Sequence, residues 1–330
     1  MTAASATDAA RRASASCEGL ATPAVVDANS DAIADYAYAG DLFGNLWKFD
    51  LRDTNPANWR VAYTVSGNPA PIFVATTSGG VRQPITGRPT VGRGPQGAGL
   101  QVYFGTGKFL ELQDRLVATI TPATFYSIID NVTDTIADIV TGRTQLTTQT
   151  VLTEESVTVG TRTNNVRTTS ANPIVPPGNR GWLLDLVSPG NVLKGEMSVS
   201  NPILRNERVI FTTLTPNPDP CGFGGTSWVM LLDAKSGGRA NSSFDLTGDG
   251  KLNQDDKVPS GSGPIAVSGL SSREGIWSMP TALSNGDADV LLMSSTGSED
   301  DDPDDPNDDN NKVIDPGPGG IGRQSWRQLR

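Results

Sequence analysis

Two short acidic stretches hold the residues best suited to chemistry. The first, Asp27 to Asp35, reads DANSDAIAD and sets oxygens at alternate positions: Asp27, Asn29, Asp31, the Ile33 carbonyl and Asp35. A hard cation such as Ca²⁺ takes about six to eight oxygens, and a tight loop turning every second residue inward supplies most of them. The second, Asp245 to Asp256, fits the twelve-residue calcium-loop frame more fully. Asp245, Thr247 and Asp249 stand at positions one, three and five, Gly250 at the sharp turn, Lys251 with its carbonyl at seven, Asn253 at nine and Asp256 at twelve. Leu252, at position eight, is the expected apolar anchor. Asp256 has a shorter reach than the usual glutamate. In the first loop Ala32 stands where glycine is expected, at a cost on the order of 1 kcal/mol if φ is positive there. The bland alternatives are a polar turn capping a hairpin for the first loop and an Asp/Gly surface turn for the second.

Composition removes other chemistries. The chain of 330 residues has no histidine, so Ser-His-Asp and Cys-His catalysis and His-ligated zinc are excluded. Cys17 and Cys221 are too few for a disulfide framework and too far apart for a zinc motif; a mutual disulfide and two separate thiols both stay open. The net charge of −10 is concentrated in Glu299–Asp309, which holds eight acids and no base, so the body is nearly neutral and no basic face for nucleic acid stands out. No stretch is long and apolar enough for a transmembrane segment. The first 22 residues are unpatterned and lack the apolar core of a signal peptide. The expectation is a piece of a longer exported chain.

The elements that must position the loops are short strands between Gly- and Pro-rich turns. Tyr36–Leu51 reads as a hairpin, with Trp47 and Phe49 divided between the core and a packing interface. Further strands are expected at Trp59–Val65, Pro71–Ala75, Pro84–Val91, Leu100–Phe104, Phe125–Ile129, Gly181–Leu186, Gly195–Val199, Val209–Leu214, Ser227–Asp233, Gly275–Met279 and Asp289–Met293. Asn131–Ala171, rich in Thr and Val, reads as long exposed hairpins or an insertion, with disorder as the competing reading. The acidic run Ser298–Asn311 reads as a solvated loop. The best helix candidate is Asp8–Ala15. GDLFGNLWKFDL, VYFGTGKFLEL, NRGWLLDL and SWVMLLDAKSGG are weakly self-similar, each pairing an apolar strand with a glycine turn. The fold class is all-β: short strands between turns suggest a sandwich, barrel or propeller, and this repetition favours the propeller.

On these residues the chain resembles the PilY/PilC family of type IV pilus-associated proteins. PAVVDANSDAIADYAYAGDLFGNLWKFDL carries the resemblance, with QPITGRPTVGRG, VYFGTGKFL, GWLLDL, TTLTPNPDPCGFGGTSWVMLLD and the closing GRQSWRQLR. The resemblance covers residues 23–330 and implies a modified β-propeller, the C-terminal domain of a large exported protein that favours pilus extension over retraction and acts as a tip adhesin. It implies an incomplete propeller, with earlier blades outside this chain. It also implies a non-enzymatic role, a calcium loop at Asp27, Asn29, Asp31, Ile33 and Asp35, and partners among pilins, minor pilins and host or abiotic surfaces. The implied location is the pilus tip, or the outer membrane through the parent protein. A quinone-holding propeller enzyme and an outer-membrane assembly scaffold are the rival readings.

Overall fold

The structure is a computed structural model that describes residues 19–95, 99–116, 121–160, 162–174, 178–219, 223–272, 275–284, 289–297 and 311–314. Both cysteines, the helix candidate Asp8–Ala15, the closing GRQSWRQLR and all but the last residue of the acidic run lie outside the described residues.

Among the described residues four antiparallel-based sheets stack face to face as blades, beside two two-stranded ribbons, Tyr63–Val65 with Asn68–Ala70 and Lys257–Val258 with Ile265–Ala266, giving the all-β propeller architecture expected. The first blade orders its strands Ala24–Val26, Tyr36–Gly40, Asn45–Asp50 and Arg60–Val61, with Phe73–Val74 also on the third of them. The second runs Thr90–Arg93, Leu100–Gly105, Thr124–Asp130, Gly181–Asp185 and Thr147–Gln149. The third runs Ile203–Arg205, Arg208–Pro216, Gly225–Asp233, Gly269–Ser271, Arg162–Thr169 and Val151–Val159. The fourth holds Thr281–Ser284, Asp289–Leu292 and Asn311–Ile314.

The first strands of blades one and two adjoin, as do those of blades two and three. Each blade's first strand follows directly on a proline, namely Pro23, Pro89, Pro202 and Pro280. Proline holds an extended-compatible φ and lacks an N–H, so it suits the entry to a strand and little else in a sheet.

Both faces of the central strands are covered, so they read as continuous apolar runs. On Arg208–Pro216, Val209 and Phe211 enter the core between blades two and three, while Ile210 enters the core between blades three and four. On Leu100–Gly105, Val102 and Phe104 face blade one and Tyr103 faces blade three. The Phe125 and Phe211 rings stack across the middle interface with centroids 3.7 Å apart. Such a pair contributes about 0.5–1.5 kcal/mol beyond its buried area.

Several expectations are corrected. The long hairpin expected within Asn131–Ala171 forms from Val151–Val159 and Arg162–Thr169, but it is docked. It leaves blade two, and its strand Arg162–Thr169 pairs with Gly269–Ser271, so it forms the outer edge of blade three. Its Thr-rich pattern looked exposed because Val151–Val159 is an edge strand; Val166 to Thr169 are buried. Gly195–Val199 and Gly275–Met279 are not strands. Each contributes one bridge, Met197 to Leu214 and Trp277 to Ser295. Only the end of Pro84–Val91 is strand. Trp47 and Phe49 share one face, opposite the small Ala39 and Ala37, while Leu46 and Lys48 occupy the other.

The crossing hairpin is held by a buried cluster. Arg167 is bidentate to Glu196, at 2.8 and 2.6 Å, reaches Glu154 at 2.6 Å, and lies over the Trp228 ring. Burial opposes the charge on Glu154, but Arg167, with Lys194 and Ser188, holds its carboxyl below the ordinary 4.5. Arg167→Leu should destabilise the domain by about 3–5 kcal/mol, because buried Glu196 loses its partner and half-buried Glu154 loses its nearest one. A carboxylate whose folded value is depressed stabilises above its unfolded value, so this contribution is lost as pH falls below 4.5. Urea titrations of both proteins across that range check the prediction: the gap should narrow toward acid.

Candidate metal centre

The two acidic loops, far apart in sequence, share one hydrogen-bonded frame. The first joins Ala24–Val26 to Tyr36–Gly40, so blade one fixes both of its ends. Ser30 N donates to Asp27 Oδ1 at 2.6 Å and Ala32 N to Asp27 Oδ2 at 2.9 Å. Ile33 N donates to Asp31 Oδ1 at 2.8 Å. In the second loop Gly248 N donates to Asp245 Oδ1 at 2.6 Å, Gly250 N to Asp245 Oδ2 at 2.8 Å and Lys251 N to Asp249 Oδ1 at 2.8 Å. The closing carboxylates act alike. Asp35 Oδ2 accepts from Ala28 N and Asn29 N, and Asp256 Oδ1 accepts from Leu246 N and Thr247 N.

The backbone matches as well. Positions four and six are left-handed in both loops: Ser30 and Ala32 at φ 69° and 72°, Gly248 and Gly250 at φ 76°. Ala32 therefore occupies the glycine-favouring conformation that its place in the motif demands, and bears the strain expected of a side chain there.

Burial differs along each loop in the way a surface ligand cup requires. Asp35, Asp245 and Asp256 are buried, whereas Asn29, Asp31, Ile33, Asp249, Lys251 and Asn253 are exposed; Asp27 and Thr247 lie between. The apolar anchor of the second loop is Leu246, fully buried among Phe244 and Val258, while Leu252 is only half-buried. Position two carries the anchor because its side chain points opposite to the ligand side of position one.

The closing segments differ. The first loop ends at position nine. The second inserts a 3₁₀ turn, Gln254–Asp256, in which Asn253 N donates to Asp256 Oδ2 and Asp255 N to Asn253 Oδ1. As they stand, the carboxylates are turned to their own loop amides, and among the described residues no three acidic side chains converge into a ready metal cage. The donor set is nevertheless all oxygen, as a hard cation requires, and each carboxylate oxygen can accept further partners.

Three neighbours escaped the sequence reading. Arg93 Nη2 lies 3.4 Å from Ser30 Oγ. A Cβ on Gly248 would lie 2.1 Å from the Arg162 guanidinium carbon, so the guanidinium packs directly on this turn. Asn164 Nδ2 donates to Leu246 O at 3.1 Å. Arg162 and Asn164 come from the crossing hairpin, a placement that no local pattern announces.

Stacked blades with loops at the strand junctions define a β-propeller domain. Residues 10–166 match the family model described as the PilY1 beta-propeller domain. A type IV pilus biogenesis factor PilY1 homolog of Xylella fastidiosa is 33% identical across 94% of this chain and 21% of its own length. The type IV pilus biogenesis factor PilY1 of a Pseudomonas aeruginosa strain is 38% identical across 69% of this chain and 22% of its length. The crystal structure of the P. aeruginosa PilY1 C-terminal domain matches with a TM-score of 0.75 and 31% identity, covering 91% of this chain and 62% of that one. The chain thus carries a β-propeller domain of the PilY1 family. It spans about a fifth of the length of these curated relatives.

The strain at Ala32 is measurable without metal. In EDTA, Ala32→Gly should raise stability by about 1 kcal/mol, and Gly250→Ala should lower it by a similar amount. Chemical denaturation of the two variants against the parent reads both signs.

Proposed function

We propose that this domain is a calcium-responsive, non-enzymatic interaction module of a type IV pilus biogenesis factor, acting at the pilus and cell surface. The observation that carries the calcium reading is the shared frame of the two loops, down to the paired left-handed residues. Asp27, Asn29, Asp31, the Ile33 carbonyl and Asp35 would hold one ion. Asp245, Thr247, Asp249, the Lys251 carbonyl, Asn253 and Asp256 would hold the other. Bound Ca²⁺ would supply positive charge among carboxylates that otherwise repel one another.

The chain's own residues then do the work. Asp35 ties the first loop to blade one, since its N–H donates to Val26 O at 2.8 Å and its carbonyl accepts from Leu51 N at 2.9 Å. Arg162 and Asn164 tie the second loop to the crossing hairpin. Each loop can therefore pass a change of shape into a blade edge. Pilins and minor pilins are the partners this reading assigns to that surface. The switch between loop states would bias the parent protein toward supporting pilus extension, with release favouring retraction; adhesion to host or abiotic surfaces belongs to the same reading.

The test uses exposed ligands, because Asp35 and Asp256 also hold loop amides and their loss would damage the backbone. Calorimetry on the purified domain should find two calcium ions per chain, one for Asp31→Asn, one for Asp249→Asn and none for the double variant. Unchanged stoichiometry in both single variants refutes the loop assignment. The full-length gene carrying Asp31→Asn, returned to a deletion strain, should fail to restore twitching motility; full restoration would detach the first loop from pilus function.

A further inference from the structure

A third stretch of this chain has the spacing of the first loop. Asp130 to Asp138 reads DNVTDTIAD, against DANSDAIAD for Asp27 to Asp35, and agrees at positions one, five, seven, eight and nine. The backbone is related but shifted: the left-handed pair, Val132 at φ 55° and Asp134 at φ 56°, stands at positions three and five, one residue earlier than Ser30 and Ala32 in the first loop. The closing Asp138 Oδ2 accepts from two consecutive amides, Thr133 N at 2.8 Å and Asp134 N at 3.0 Å.

This loop already faces a cation. Lys48, fully buried on the Asn45–Asp50 strand of blade one, places Nζ 2.8 Å from Asp130 Oδ2 and 3.4 Å from Asp134 Oδ1. Those are positions one and five, the counterparts of Asp27 and Asp31. Tyr63 OH accepts from Nζ at 3.1 Å and lies 3.3 Å from Asp138 Oδ2, linking the ammonium to position nine. The Tyr36 ring lies 4.1 Å from Nζ, and Tyr38 OH donates to Asp130 Oδ2 at 2.6 Å. Arg52 adds a second positive charge at Asp134 Oδ2, 2.7 Å away. Two carboxylates thus meet two cations, the third, Asp138, joins through Tyr63, and its Oδ1 is buried without a hydrogen-bond partner.

We propose that Asp130–Asp138 is a cation loop whose cation is the Lys48 ammonium, so that the contact between blades one and two is a built-in lock that needs no metal. The proposal does not depend on calcium filling the other two loops. It divides the domain into a seam that chelators leave intact and loops that answer to them. It also predicts a latent site: without the ammonium, the same oxygens and the tyrosines around them are left to a free cation.

The probe is terbium, excited through tyrosine, because Tyr36, Tyr38 and Tyr63 line the loop. In a domain carrying Asp27→Asn and Asp245→Asn, which blunt the other loops, Lys48 should leave only background emission. Adding Lys48→Met should produce tyrosine-sensitised emission that calcium competes away, and should make the thermal midpoint depend on calcium. In EDTA, Lys48→Met should lower that midpoint, and Asp130→Asn on top of it should recover at least half of the loss. If Lys48→Met alone does not fold, the double variant should fold. Equal terbium emission with and without Lys48, or a double variant no more stable than the single one, overturns the proposal.

Discussion

A blade covered on both faces imposes the constraint on which the rest of this structure depends. Every side chain of its central strands must find a partner on one neighbour or the other, because water reaches neither face. Thr124–Asp130 and Leu100–Gly105 are buried at every position, and consecutive residues serve different interfaces. Charged groups at two of these interfaces pair across them: Lys48 with Asp130 between blades one and two, and Arg205 with Asp289 between blades three and four. Burying such pairs costs much of what their attraction returns, so they add little net stability. Stranding one partner is expensive, however, and that penalises any other arrangement of the same blades.

The same constraint explains where the loops can be. A ligand loop needs exposed oxygens on a rigid base, and a stacked sheet offers that combination only at its strand ends. Asp27–Asp35 uses the turn out of a blade's first strand. Asp245–Asp256 follows the long Gly225–Asp233 strand and is roofed by a hairpin donated from the preceding blade. That hairpin is inserted between two strands of blade two but pairs in blade three, so the neighbourhood of the second loop is assembled from segments some 82 residues apart.

The loop backbone was legible in the sequence because its signals are local. Alternating oxygens, the glycine-demanding sixth position and the closing aspartate all lie within a dozen residues, and the backbone obeys them even where Ala32 makes this costly. The propeller class was legible from strand length and glycine turns. Blade boundaries had a signal that went unused: the prolines at 23, 89, 202 and 280 that open each first strand. The fate of Asn131–Ala171 was not legible. Its strands complete a sheet whose other members lie from residue 203 onward, and a Thr-rich edge strand looks the same in sequence whether it is docked or free. Asp130–Asp138 was not legible either. The residue that completes it, Lys48, lies on another blade, and an isolated lysine in a strand announces nothing.

A crystal structure of the domain grown in calcium tests the central claim most directly. The account predicts an ion in each of Asp27–Asp35 and Asp245–Asp256, ringed by oxygens at about 2.3–2.6 Å, and none at Asp130–Asp138, where Lys48 stays in place. Two loops that keep their carboxylates on their own amides, with only water beside them at millimolar calcium, would contradict it.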